Sequence, residues 1–329
     1  MTYYRNEQEF FFFQNYKSDL RRTSNSLGRL LLIFFGAEMV FALIIYIILD
    51  LFGIDIRHLS GTMDMLFNGL LSSLIFFVIG AVYCLIRGKS FARLFPFERV
   101  GGRMVVMLSI IGLAVSLASN YASDLMTEVF SLFGLQNKGG EILSDGSLPA
   151  VVLYYLTVAI LPAFAEEFAF RGVIMGSLRP YSEGLALLVS SAAFSLMHGN
   201  FVQIPFTFCC GLAFGFIVLK TNSLLPSIII HFLNNALAVT AEILNAYSVV
   251  SDDVIYLGYA VIFLITAVLA LIFLRRIIRE KPAMLAFTDS DNGIPFREKL
   301  KTTASSPTLI AFEAIMLLYA AYVLVSPYV

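Results

Sequence analysis

The chain has 329 residues, of which 59% are hydrophobic and 14% charged, and its mean hydropathy is +0.84. A soluble globular domain carries roughly 25% charged residues, so this composition excludes one and places the chain in lipid. A formal net charge of −1 gives no electrostatic basis for binding nucleic acid.

In chain order, the opening stretch MTYYRNEQEFFFFQNYKSDLRRTSNSLGR is too polar for a cleavable signal peptide. It reads as a cytoplasmic tail over residues 1–28, with Phe10 to Phe13 dipping into the membrane interface. A spanning helix needs roughly 20 mostly apolar residues. That rule predicts nine spans, at about 30–52, 65–87, 103–122, 148–178, 184–199, 202–220, 223–246, 254–275 and 307–327. The expected fold is an all-α, polytopic membrane bundle of about 8–9 transmembrane helices. The fourth stretch is too long for a simple crossing and the fifth is short. GNFVQIPF is the weakest separator between two spans.

Lysine and arginine assign the sides. Arg5, Lys17, Arg21 and Arg22 lie in the tail, and Arg87, Lys89, Arg93 and Arg99 in the second connection. Arg179 and Lys220 fall in the next alternate connections, and Arg275, Arg276, Arg279, Lys281, Arg297, Lys299 and Lys301 in the last long loop. The opposite connections are acidic or neutral, with Asp55 beside Arg57, then Asp124, Glu128, Glu141 and Asp145, then Asp252 and Asp253. The expected N-terminus is therefore cytoplasmic and the C-terminus external. The composition suits a bacterial plasma membrane, with the endoplasmic reticulum as the alternative. The expected divisions are N-terminal spans over 29–147, a central segment over 148–247 and C-terminal spans over 248–329, the last with a cytoplasmic linker at about 276–306.

Charges within hydrocarbon cost several kcal/mol unless paired or wet, yet FAEEFAFRG puts three in six residues: Glu166, Glu167 and Arg171. Glu167 and Arg171 are four apart, acid first, the favoured spacing for a pair on one helix face. Glu166 points away at 100° per residue and is free to face something else, either another helix or a cavity. Of three histidines, His58 falls in the first external loop as a solvated residue, whereas His198 and His231 lie in predicted spans. Asn235 follows His231 on the same face. On helix rise alone Glu166 and His198 sit at matching depth, with His231 and Asn235 lower unless the helices tilt. A base, an imidazole and neutral donors are the groups a hydrolase needs. Cys84, Cys209 and Cys210 lie in apolar runs and read as packing thiols. Glu38, Glu242 and Glu313 read as structural.

EEFAFR as EExxxR, FSLMH as FxxxH and HFLNN as HxxxN occur in that order. The pattern resembles the CPBP family of intramembrane proteases, which groups type II CAAX prenyl proteases with bacteriocin-processing and self-immunity proteins. The resemblance covers about residues 148–247. It implies that Glu166 activates the attacking water, helped by His198, that His231 and Asn235 stabilise the oxyanion, and that Glu167 and Arg171 support them. It implies a peptide or membrane-protein substrate reached within the bilayer. Glu166, His198 and His231 could ligate zinc, but HExxH is absent and a glutamate-activated water needs no metal. The alternative is a non-catalytic immunity or ion- or peptide-binding membrane protein using the same cluster.

Overall fold

The computed structural model describes residues 7–54, 69–88, 90, 94–135, 147–287 and 293–326. Arg5, Asp55, Arg57, His58, Lys89, Arg93, Glu141 and Asp145 lie outside the described residues. The described chain is helical: α1 (Glu7–Leu51), α2 (Leu71–Ile86), α3 (Gly102–Ser131), α4 (Leu148–Leu178), α5 (Glu183–Met197), α6 (Ile204–Thr221), α7 (Leu225–Ala246), α8 (Asp252–Glu280), α9 (Phe296–Ala304) and α10 (Pro307–Val325). Its only extended pairing among the described residues is an isolated antiparallel bridge, Phe97 with Ser223.

By length and composition, seven of these helices can cross a membrane: α1, α3, α4, α6, α7, α8 and α10. α2 and α5 are shorter apolar helices. Hydropathy finds a helix in every predicted place but misses how far some extend. α1 begins at Glu7, inside the polar tail, and α3 runs on to Ser131. Hydropathy marks only the hydrocarbon-embedded part, whereas helical hydrogen bonding continues wherever the residues allow it. The weak separator is a true reversal. Gly199 takes a left-handed φ of 61°, the Asn200 side chain accepts from Val202 N at 2.9 Å, and Pro205 enters α6 in its first turn.

Lipid replaces water as the outer solvent, so apolar side chains point outward as well as inward. On α8, Leu257, Leu264 and Leu271 are all exposed, as a lipid-facing helix requires. α4 is the opposite case, with every residue from Glu167 to Met175 buried. It lies among α2, α5 and α7, while α6 packs on α5 and α3, α8 on α3, and α10 on α1 and α5. Where α1 crosses α10, a Cβ on Gly28 would meet the Thr308 and Leu309 backbone at 2.5 Å. A glycine is needed there so that two backbones can touch.

α4 is not a regular α-helix. It widens to π geometry over Tyr155–Ile160 and again over Glu167–Met175. Pro162 lies just past the first wide stretch. It has no N–H to offer the Val158 carbonyl four residues back, and its ring crowds that carbonyl. A π-bulge of this kind re-aims side chains and often marks a functional site. Here the second wide stretch begins at Glu167, so the double glutamate sits at its start.

Candidate active site

The acidic pair divides as the spacing predicts. Glu167 is wholly buried, and its Oε1 lies 2.9 Å from Arg171 Nη1 on the same helix. The guanidinium is stacked 4.2 Å from the centre of the Phe194 ring on α5. An ion pair this deep is expensive to desolvate and stands only because both charges are partnered. Glu167 Oε1 also accepts from His231 Nδ1 at 3.1 Å, which ties α4 to α7.

That bond fixes the His231 ring, so Nε2 faces the other glutamate, 3.7 Å from Glu166 Oε2. The depth gap expected from residue counting is therefore closed between these two side chains. Glu166 Oε2 is itself buried and hydrogen-bonds no protein group. His198 ends α5, with Nδ1 2.8 Å from the Phe194 carbonyl. A carbonyl can only accept, so Nδ1 carries the proton and Nε2 is the free acceptor of the neutral ring. The Phe194 ring touches both histidines, with centroid separations of 4.8 Å to His198 and 6.0 Å to His231.

Asn235 is held by a chain of bonds whose polarity can be read from one end. Ser116 Oγ on α3 donates to Asn234 Oδ1 at 2.6 Å and lies 3.2 Å from Cys210 Sγ on α6. Asn234 Nδ2 then donates to Asn235 Oδ1 at 3.2 Å. Asn235 Nδ2 donates to the Val158 carbonyl at 3.1 Å, the acceptor that Pro162 leaves without its α-helical donor. Since Asn235 Oδ1 is engaged, the amide has a second N–H to offer elsewhere.

Glu166, His198 and Asn235 all line one cavity of about 880 Å³. Its walls come from α2, α3, α4, the α5–α6 turn, α7 and α8, at the end of the bundle opposite Arg179 and Lys220. His231, Glu167 and Arg171 stand behind this wall rather than in it. Three carboxylates line the cavity, Asp124, Glu166 and Glu242, and no Lys or Arg does so among the described residues. Glu242 accepts a hydrogen bond from Tyr154 on α4. It faces the cavity, not the packing role its position on α7 suggested. Glu38 accepts from Ser72 at 2.6 Å, beside the same wall. Neither Ser116 nor Asn234 carries a motif signal in the sequence. An apolar stretch with one serine looks like any span, and only tertiary contact reveals its partner.

The zinc alternative can be tested on the donor set. Among the described residues, no three His, Cys, Asp or Glu side chains gather so as to hold a metal ion. His231 Nδ1 faces Glu167 and His198 Nδ1 faces a carbonyl, which leaves one imidazole nitrogen on each. One nitrogen per ring would suffice for a ligand, but these side chains do not gather about one point among the described residues.

A carboxylate and an imidazole face one cavity inside an all-helical bundle, an arrangement able to move protons. Residues 148–237 match the Rce1-like family, described as type II CAAX prenyl endopeptidase Rce1-like. Over 130 residues the chain is 32% identical to the membrane-embedded CAAX protease MroQ of Staphylococcus aureus (strain USA300), covering 36% of this chain and 53% of that relative. The chain thus spans about half the length of the curated relative it matches. No solved structure matches. The segment that holds all three motifs thus matches this family model and is similar to that membrane-embedded protease.

Proposed function

We propose that the chain is an intramembrane endopeptidase in which Glu166 is the general base, acting within a core formed by residues 148–247. The observation that carries this reading is a buried carboxylate oxygen that accepts no hydrogen bond from the protein, at a cavity wall shared with an imidazole and an oriented amide donor. Water held between Glu166 and His198 Nε2 loses a proton to Glu166 as its oxygen attacks a peptide carbonyl. The second N–H of Asn235 donates to the oxyanion that forms. Glu166 then returns the proton to the departing amine as the C–N bond breaks, leaving a carboxylic acid and an amine. His231, backed by Glu167, sits where its Nε2 can hydrogen-bond Glu166 through that proton cycle. This gives His231 a positioning role and leaves Asn235 the oxyanion donor, a division that the resemblance alone does not make.

The substrate class is a peptide or membrane protein entering the cavity within the bilayer, consistent with the CAAX-protease name of the relative. The basic ends of α4 and α6 support a cytoplasmic side for the tail and those ends by the positive-inside rule, in a bacterial plasma membrane. The cavity then opens toward the external side.

The test is cleavage of a broad peptide library, including lipidated peptides, by purified wild type and Glu166→Gln. The isosteric variant should fold and produce nothing, and a chelator should leave wild-type turnover unchanged. Equal products from both proteins would remove the general-base role. No products from either, with both folded, would favour the non-catalytic binding alternative.

A further inference from the structure

At the opposite end of the bundle, α9 packs against the polar stretch of α1 that precedes the membrane. Polar contacts help to fix it there: Lys17 Nζ lies 2.7 Å from Glu298 Oε2, Arg21 Nη2 donates to Ser305 Oγ at 3.1 Å, and Ser24 Oγ donates to Thr303 Oγ1 at 3.4 Å. Between the helices is a pocket of about 420 Å³, whose wall includes Gln14, Lys17, Ser18, Arg21, Lys301 and Ser305. Three of its lining residues are cations, and none is an aspartate or glutamate.

Bringing three positive groups into one concavity works against their mutual repulsion. Glu298 offsets Lys17, but Arg21 spends a donor on a neutral hydroxyl, and Lys301 is exposed and makes no ion pair among the described residues. What the pocket offers is a guanidinium fork, an ammonium and hydroxyl groups converging from two helices. That is the donor set suited to the several acceptor oxygens of a phosphate.

Its depth narrows the ligand further. Gly28 marks where α1 meets the start of α10, close to the edge of the apolar stretch. Arg21 lies two turns earlier, about 10 Å along the helix at 1.5 Å per residue. A headgroup layer extends roughly 5–7 Å beyond hydrocarbon, within reach of a long basic side chain that snorkels. Basic pockets beside spanning helices hold lipid phosphates on this principle.

We propose that the α1–α9 pocket binds a phosphate-bearing anion, supplied by the headgroup of an anionic phospholipid. The full chain, purified in detergent and reconstituted, tests it by thermal denaturation in phosphatidylcholine bilayers with and without phosphatidylglycerol. A parallel arm adds inorganic phosphate in detergent. Arg21→Ala/Lys301→Ala removes the two pocket cations that make no ion pair among the described residues. Arg22→Ala/Arg297→Ala removes the same charge from exposed positions outside it.

Phosphatidylglycerol should raise the melting temperature by several degrees in the wild type and in the Arg22/Arg297 control. That gain should vanish in the pocket variant and shrink with added salt. An equal, pocket-dependent gain from inorganic phosphate would keep the anion site and make its ligand a free phosphate. No gain from phosphatidylglycerol or phosphate, a gain that survives in the pocket variant, or an equal loss in the control would overturn the site.

Discussion

Replacing Arg171 with methionine is the sharpest probe of how the site is supported. The side chain is fully buried, pairs with Glu167 at 2.9 Å and stacks on Phe194. Methionine keeps much of the apolar stem but removes the charge. Glu167 would keep the His231 contact at 3.1 Å and a hydrogen bond from Ser227, but no full positive charge, leaving a buried carboxylate largely uncompensated. Breaking a buried pair in this way costs about 3–5 kcal/mol. The companion change, Glu167→Gln, retains an acceptor for His231 while deleting the other charge. The double variant Glu167→Gln/Arg171→Met therefore removes both charges together and should recover much of the stability lost by Arg171→Met alone. Melting temperatures of the four proteins in one detergent close the cycle. A single Arg171→Met variant as stable as wild type would refute the reasoning, as would a double variant no better than the single.

Other changes test other parts of the structure. Gly28→Val forces a side chain into the Thr308–Leu309 backbone and should destabilise the α1–α10 crossing by about 1–3 kcal/mol, measured as a lowered melting temperature; an unchanged value would mean that the helices do not touch there. Asn235→Ala should lower kcat about 10²–10³-fold with little change in KM, and it should also cost stability by stranding the Val158 carbonyl. Asn234→Asp should act in the same direction without touching substrate, because a carboxylate cannot donate to Asn235 Oδ1; wild-type kcat would break the proposed chain. At the polar end, the Lys17 hydrogen bond and charge hold the Glu298 carboxyl below its ordinary value of 4.5. A carboxyl lowered by folding stabilises above its unfolded pKa and loses that contribution as pH falls through the folded value. The melting-temperature difference between wild type and Lys17→Met should therefore be steady near neutrality and shrink below about pH 4.5; a difference that grew in acid would contradict the pairing.

Much of the fold follows from composition and periodicity. Lipid imposes one rule on any spanning segment, that its backbone bonds be satisfied internally, so apolar stretches of the right length become helices wherever they occur. The Glu167–Arg171 pair was equally legible, because both members lie on one helix and spacing alone decides whether they meet. The same holds for the separation of Glu166 from that pair. The three motifs together marked out the central segment.

Relations between helices were not legible in this way. Residue counting put His231 below Glu166, yet tilt and the π-widened turns of α4 bring its ring between both glutamates. Pro162 could be read as a kink, but not that Asn235 from another helix would take the carbonyl it frees. Ser116, Asn234 and Glu242 looked like ordinary span residues until packing brought the first two into the chain that orients Asn235 and turned the third toward the cavity. The tail read as a polar cytoplasmic lead, yet from Glu7 it is helical, and it docks α9 through Lys17 and Arg21. Local hydrogen bonding and hydropathy act within a few residues of chain, so the sequence by itself determines the helices and the contacts along each one. Which side chains share a cavity depends on tilt, crossing distance and backbone irregularity summed over several helices, and only the tertiary structure decides that.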